Sequence, residues 1–215
     1  MMDPVTATFS GFPLSAFEFY DDLEFDNTKS FWEANKHIYA EAVKAPMAAL
    51  TDALAEEFGA AKIFRPYRDV RFARDKTPYK THQGAYVATA PATGWYVQVG
   101  ADGVMVGAGF YDASGEHLAA VREAIDDDVT GRRLVKIVRR LTGQGWTIGG
   151  DTLKTAPRGY DTGHPRIELL RHKTFILSRS YGVDPVVHTP ALVGRIRDDW
   201  RQAKPFLDWL PDPPE

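Results

Sequence analysis

The sequence predicts an α+β domain: a mostly antiparallel sheet with an N-terminal helical segment and further helices packed on it. Three observations carry this. Apolar residues recur at three-to-four-residue steps through the opening segment. From residue 62 the chain changes to short runs rich in Val, Tyr, Phe and Trp, punctuated by Gly, Pro and Asp. Later, helical and strand patterns mix without the regular strand–helix alternation of a doubly wound nucleotide-binding fold.

Leu14, Phe17 and Leu23 mark a first helix face, and Phe31, Ile38 and Ala42 a second. Asp26, Asn27 and Thr28 are candidate caps for the second helix. Pro46 is expected to end it or to open a third in its first turn, which Gly59 stops. "KIFRPYRDVRFA", "GAYVATA", "GWYVQVG" and "GVMVGAGFY" read as strands, and "GADG" between Val99 and Val104 as a hairpin turn, because Asp-Gly supplies positive φ. The Gly-x-Gly of "VGAGFY" lacks the third glycine and the strand-to-helix context of a dinucleotide cradle. It reads as a bulge or a close backbone approach.

Ser114 caps a helix with Leu118, Val121 and Ile125 inward, and Leu134, Ile137, Val138 and Leu141 line the next. The acids of "IDDDVTGRR" suit helix ends and caps. "WTIGG" and "TFILSRSYG" read as strands, and "TPALVGRIRDDWRQAKPFLDWL" as a closing helix with Pro205 starting a new turn. Trp95, Tyr96, Trp146, Trp200 and Trp209 lie in these patterned stretches, which assigns them to packing rather than to base stacking.

Composition narrows the function. At 215 residues the chain is read as a single domain, 1–215. No apolar run approaches the roughly 20 residues a membrane helix needs, so no membrane partner is expected. The start "MMDPVTATFSGF" lacks the basic and apolar regions of a secretory signal, and a cytoplasmic location is expected. The absence of cysteine excludes disulfides, thiolate nucleophiles and thiolate-bound metals. A net charge of -3 argues against nucleic acid as a partner. There is no H-E-x-x-H or close histidine pair, hence no dedicated metal site, and no cofactor is expected. A magnesium ion brought by a substrate phosphate stays compatible. Without a G-x-S-x-G elbow, serine chemistry has no support.

One segment departs from the chain's acidic balance. "RPYRDVRFARDKTPYKTHQG", residues 65–84, holds Arg65, Arg68, Arg71, Arg74, Lys76 and Lys80 against only Asp69 and Asp75. Pro66 and Pro78 argue against a helix there. On a strand, Arg65 and Arg71 would face one way with Asp69, and Arg68 and Arg74 the other. Asp69, Arg71 and Lys76 would then surround one space. Arginine forks bind phosphate or carboxylate oxygens two at a time, so Arg65, Arg68, Arg71, Lys76 and Lys80 are candidate contacts for a small anionic, phosphorylated ligand, with Asp69 orienting arginine. Tyr67, Tyr79 and His82 add hydrogen-bonding groups. The competing reading is an internal ion-pair network that pins the segment to the N-terminal helices through acids such as Glu18, Asp21, Asp22 or Asp26, in a scaffold or protein-interaction domain.

The Gly/Pro-broken "GGDTLKTAPRGYDTGHP" is the natural second wall of such a site, with Lys154 and Arg158 as secondary anion contacts. If chemistry occurs, His82 or His164 would move the proton, with Asp69 a further candidate. Whether the protein is an enzyme stays open.

The string "RPYRDVRFARDKTPYKTH", with "FSGFP", "NTKSFWEANKHIY", "GAGFY" and "GDTLKTAPRGYDTGHP" elsewhere, resembles a family of bacterial conserved hypothetical proteins, the domain of unknown function numbered twenty-four sixty-one. The resemblance implies a single domain of this length and no stated activity.

Overall fold

The computed structural model describes residues 8–72, 74–112 and 114–211. The chain divides into two compact units. One holds the described residues up to Val87 with Tyr96–Val106 and Ser180–Arg197. The other holds Ala88–Trp95, Gly107–Arg179 and the described residues from Asp198 onward.

The fold is α+β, as the sequence predicts, with a six-stranded sheet. In chain order its strands are β1 (Lys62–Ile63), β2 (His82–Ala90), β3 (Thr93–Gly100), β4 (Gly103–Phe110), β5 (Thr147–Gly149) and β6 (Phe175–Gly182). Their order across the sheet is β1-β2-β3-β4-β6-β5. Lys62 pairs antiparallel with Tyr86, and Ile148 with Leu177.

In the first unit, α1 (Leu14–Phe25) buries Phe17, Phe19, Tyr20 and Leu23. Thr28 caps α2 (Lys29–Ile38), its Oγ1 accepting the Phe31 N–H at 3.2 Å. Asn27 makes a different contact: its Nδ2 donates to the Tyr79 carbonyl and its Oδ1 accepts the Tyr79 N–H, both at 3.0 Å. Beyond α2 the chain widens into a π-helical turn, Tyr39–Lys44, and continues as α3 (Ala45–Phe58) with Pro46 in its first turn. Pro46 has no N–H to return to Ala42, and the widened turn absorbs that missing rung. Nothing in the sequence signals the π turn beyond Pro46 itself. Gly59 then ends α3 with φ 97°.

The expected strand through residues 62–73, the last of which lies outside the described residues, contracts to Lys62–Ile63. Beyond it lies a loop closed by one bridge, Tyr67 opposite Tyr79. Arg68 N–H donates to the Pro78 carbonyl and Lys80 N–H to the Pro66 carbonyl, both at 2.8 Å. The prolines explain why the ladder stops there. Pro66 lacks the N–H for the next rung on one side and Pro78 for the next on the other. The alternating faces expected for Arg65, Arg68, Arg71 and Arg74 therefore do not form.

In the second unit, Ser114 caps α4 (Gly115–Asp126), accepting the His117 N–H at 3.1 Å. Val121 and Ile125 are buried as predicted, with His117 also inside and Leu118 only half-buried. Asp127 caps α5 (Asp128–Gly143), which buries Leu134, Ile137 and Leu141. Gly109 has φ 144°, and a Cβ there would collide with the Phe175 carbonyl, so the close backbone approach read from "VGAGFY" is present. Trp95 stacks on Trp200 at 5.5 Å, and Phe175 meets Phe206 edge-on at 5.0 Å. Short α6 (Ile167–Leu170) precedes β6, and α7 (Ala191–Leu207) closes the fold. Pro205 lies inside α7 instead of starting a new turn. So near the C-terminus it removes one helical hydrogen bond and the rest of the last turn holds. Among the described residues no helix is long and apolar enough to cross a membrane.

Candidate functional site

Most of the charge in the basic loop is turned on the loop itself. Arg68 donates to Asp75 and to the Thr77 hydroxyl, while the Asp75 carboxylate accepts the Thr77 N–H at 2.9 Å. The Thr77 N–H and the Arg68 guanidinium together pull the Asp75 carboxyl down to about 2. Arg71 forms a two-point pair with Asp69, Nε to Oδ1 at 3.0 Å and Nη2 to Oδ2 at 2.6 Å, which holds that carboxyl below its ordinary value. Lys76 Nζ donates to the Val70 carbonyl at 2.9 Å. Asp69, Arg71 and Lys76 thus lie in one loop, not on a strand face, closed on one another and on backbone carbonyls. Phe72 projects fully into solvent beside them.

Arg65 behaves differently. Among the described residues it makes no ion pair or side-chain hydrogen bond, and it lines a groove of about 730 Å³ that runs between residues 63–67 and the stretch from α2 through the π turn. Lys36, His37 and Lys44 bring three more basic side chains to the same groove, and among the described residues no Asp or Glu lines it. Lys36 pairs with Glu33 at 2.7 Å, both exposed, a contact worth little in water. Among the described residues His37 and Lys44 have no such partner. Lys80 sits over the Phe64 ring at 5.2 Å from its centroid, and burial and the nearby Arg65 charge depress its pKa. Positive charge here is under-neutralised.

The groove's walls are tied together by a buried relay. The Tyr39 hydroxyl donates to Gln83 Oε1 at 2.6 Å, and Gln83 Nε2 donates to the Phe64 carbonyl at 2.8 Å. Gln83 is 1% exposed, so both bonds form in a low-dielectric setting where they hold firmly. Burial pushes the Tyr39 phenol up to about 12, which keeps it a neutral donor. Trp32 stacks on Tyr79 with ring centroids 4.4 Å apart and planes 8° from parallel, and Tyr67 leans on both. Asn27 pins the Tyr79 backbone from the helical side. The rings beside the groove are therefore fixed by contacts within the fold.

Sequence reasoning missed Trp32, Lys36, His37, Tyr39 and Lys44. Their signal was present in "FWEANKHIYAEAVK": Lys36, Ala40 and Lys44 recur at steps of four and share a helical face.

The second half of the predicted site belongs to the other unit. Arg65, Arg68, Arg71, Lys76 and Lys80 lie in the first unit, Lys154, Arg158 and His164 in the second. Lys154 and Arg158 are exposed, and the Lys154 carbonyl accepts from Arg171 Nη2 at 2.8 Å. His164 is engaged at both nitrogens. Its Nδ1 accepts the Arg166 N–H at 3.1 Å, which leaves the proton on Nε2, 3.1 Å from Asp126 Oδ1. Arg166 is buried and donates to the Ile125 and Asp126 carbonyls, each at 2.6 Å, and to Asp128 Oδ1 at 3.2 Å, capping the end of α4. His82, in the first unit, is half-buried. Burial and then Lys80 lower its pKa, so its ring is neutral at pH 7. Among the described residues no three His, Asp or Glu side chains converge to hold a metal ion.

Fold and groove define an α+β protein with a preformed, cation-rich, ring-walled groove in its first unit. The chain belongs to the family described as conserved hypothetical protein (DUF2461), whose model matches residues 15–209. No curated protein matches it.

Proposed function

We propose that this protein binds a small anionic molecule carrying a phosphate group in the groove of the first unit. Arg65 is the principal anion contact, with Lys36 and Lys44 supporting it. The observation that carries this reading is the lining: four basic side chains and, among the described residues, no carboxylate and no acceptor for the five donors of Arg65. A guanidinium fork suits phosphate oxygens, and the bonds it forms to an anion are about twice as strong as neutral ones. The groove's volume falls in the range of roughly 300–1,000 Å³ typical of small-ligand sites.

The scaffold reading keeps a place for two residues. Arg68 and Arg71 are matched by Asp75 and Asp69, which supports a bracing role that shapes the loop behind the groove.

Thermal unfolding in the presence of inorganic phosphate, pyrophosphate, phosphate esters and dicarboxylates tests the reading. A ligand at 100 times its dissociation constant adds about 2.7 kcal/mol of stability. Arg65→Ala is expected to abolish that gain and to leave the unliganded protein unchanged. If no anion raises the unfolding temperature, or if Arg65→Ala responds like the parent, the groove is not an anion site.

A further inference from the structure

We infer that the ligand of this groove is a phosphate ester carrying a planar ring, of which a nucleoside monophosphate is the common form. The inference rests on the anion reading and adds what the rest of the groove is for. A bare phosphate needs only the cationic part of a space of about 730 Å³. Four of the seven remaining lining residues are aromatic, Trp32, Tyr39, Phe64 and Tyr67, beside Ala40, Ile63 and Pro66.

Tyr67 is the ring that receives. It is 49% exposed although its backbone is fixed by the bridge to Tyr79, and its inner side leans on Trp32 at 5.9 Å and on Tyr79 at 5.5 Å. A half-open aromatic held rigidly from behind offers a stacking surface at little entropic cost. Trp32 and Tyr79 are themselves buried and stacked, so their main part is to back Tyr67. Arg65 stands two positions before Tyr67, at most about 7 Å along the chain. Both side chains border the same groove, so one ligand seated there can meet the ring and the guanidinium together. Stacking on one aromatic side chain is tolerant of ring identity, because every base has a π-face, so the groove selects ring plus phosphate before it selects a base. Lys36 and Lys44 sit on the opposite wall, where they balance a phosphate dianion better than a single arginine could.

Calorimetric titration decides it, using the four ribonucleoside 5′-monophosphates, pyridoxal 5′-phosphate, ribose 5-phosphate, inorganic phosphate and adenosine as probes of the full chain. At least one ring-bearing phosphate is expected to bind tenfold or more tighter than ribose 5-phosphate, which has the same phosphate and no ring. Tyr67→Ala should remove that difference while leaving the ribose 5-phosphate affinity in place, and Tyr67→Phe should keep it. Tyr67→Leu preserves apolar bulk without a π-face, and should also lose the difference if the alanine variant does not fold. Should ring-bearing and ringless phosphates bind alike, the ring inference fails and the anion reading stands. Adenosine binding as tightly as its monophosphate, or no binding by any probe, would overturn both.

Discussion

Arg65 and Arg166 both stand beside a proline in an irregular, turn-rich stretch, and the structure uses them in opposite ways. Arg166 reaches the open end of α4 and directs its donors to the Ile125 and Asp126 carbonyls, with Asp128 as a further acceptor. Arg65 meets no acceptor among the described residues and faces a groove. The residue type is the same and the local composition similar. What differs is whether orphan helix carbonyls lie within reach of the guanidinium. An arginine beside a helix C-terminus becomes part of the fold. One beside a groove without carboxylates remains available to something from outside.

The largest expected effect breaks the comparison from the structural side. Arg166→Ala removes charge-assisted bonds to two carbonyls near the junction of α4 and α5, and losing them is expected to cost about 3 kcal/mol in urea unfolding. Arg166→Lys should recover only part of this, because an ammonium cannot span both carbonyls in the plane of a fork. Anion binding in the first unit should be untouched. If Arg166→Ala unfolds at the parent midpoint, the buried cap is not holding α4, and the distinction drawn between the two arginines collapses.

A smaller effect sharpens the comparison on the groove side. Asn27→Ala deletes both side-chain bonds to Tyr79, at a cost of about 1–3 kcal/mol. Its signature is local. Amide exchange at Tyr79 should rise more than exchange in α3, since Asn27 is what ties the returning arm of the loop to the helices. Equal rises throughout would mean that the loop is no softer than the core.

Much of the fold was legible in the sequence because it rests on local rules. Thr28, Ser114, Pro46 and Gly59 each do what their backbone chemistry dictates. The hairpin after β3 turns at Ala101 and Asp102, with the positive φ falling on Gly103. The stretch 62–73 reads as strand because Val70 and Phe72 have strand propensity, while the deciding fact is the pair of missing N–H groups at Pro66 and Pro78 that stops the ladder on both sides of one bridge. The candidate site was half legible. The density of arginine points to the segment that borders the groove, but its spacing singles out Arg68 and Arg71 together with Arg65, and only the three-dimensional pairing with Asp75 and Asp69 separates them. Lys36, His37 and Lys44 escaped notice because each is an ordinary surface residue of a helix. They become a group only when the chain at Ile63–Tyr67 lies alongside.

The smallest effect concerns pH and the loop's own brace. Asp75 titrates near 2 in the folded protein, below its ordinary value of about 4. A depressed folded value means that the stabilising contribution is fully present above about pH 4 and is lost as the pH falls towards 2. The Thr77 N–H is the first cause of the shift and Arg68 the second. Arg68→Ala should therefore raise the Asp75 midpoint without restoring it fully, and Thr77→Ala, which keeps the backbone N–H, should raise it less. Carbon-detected titration of the Asp75 carboxyl reads both. The comparison gains from either result, since a carboxyl held low by Arg68 ties that arginine to the loop. A midpoint near 4 in the parent protein would instead release Arg68 to stand with Arg65, and would enlarge the proposed anion site at the expense of the brace.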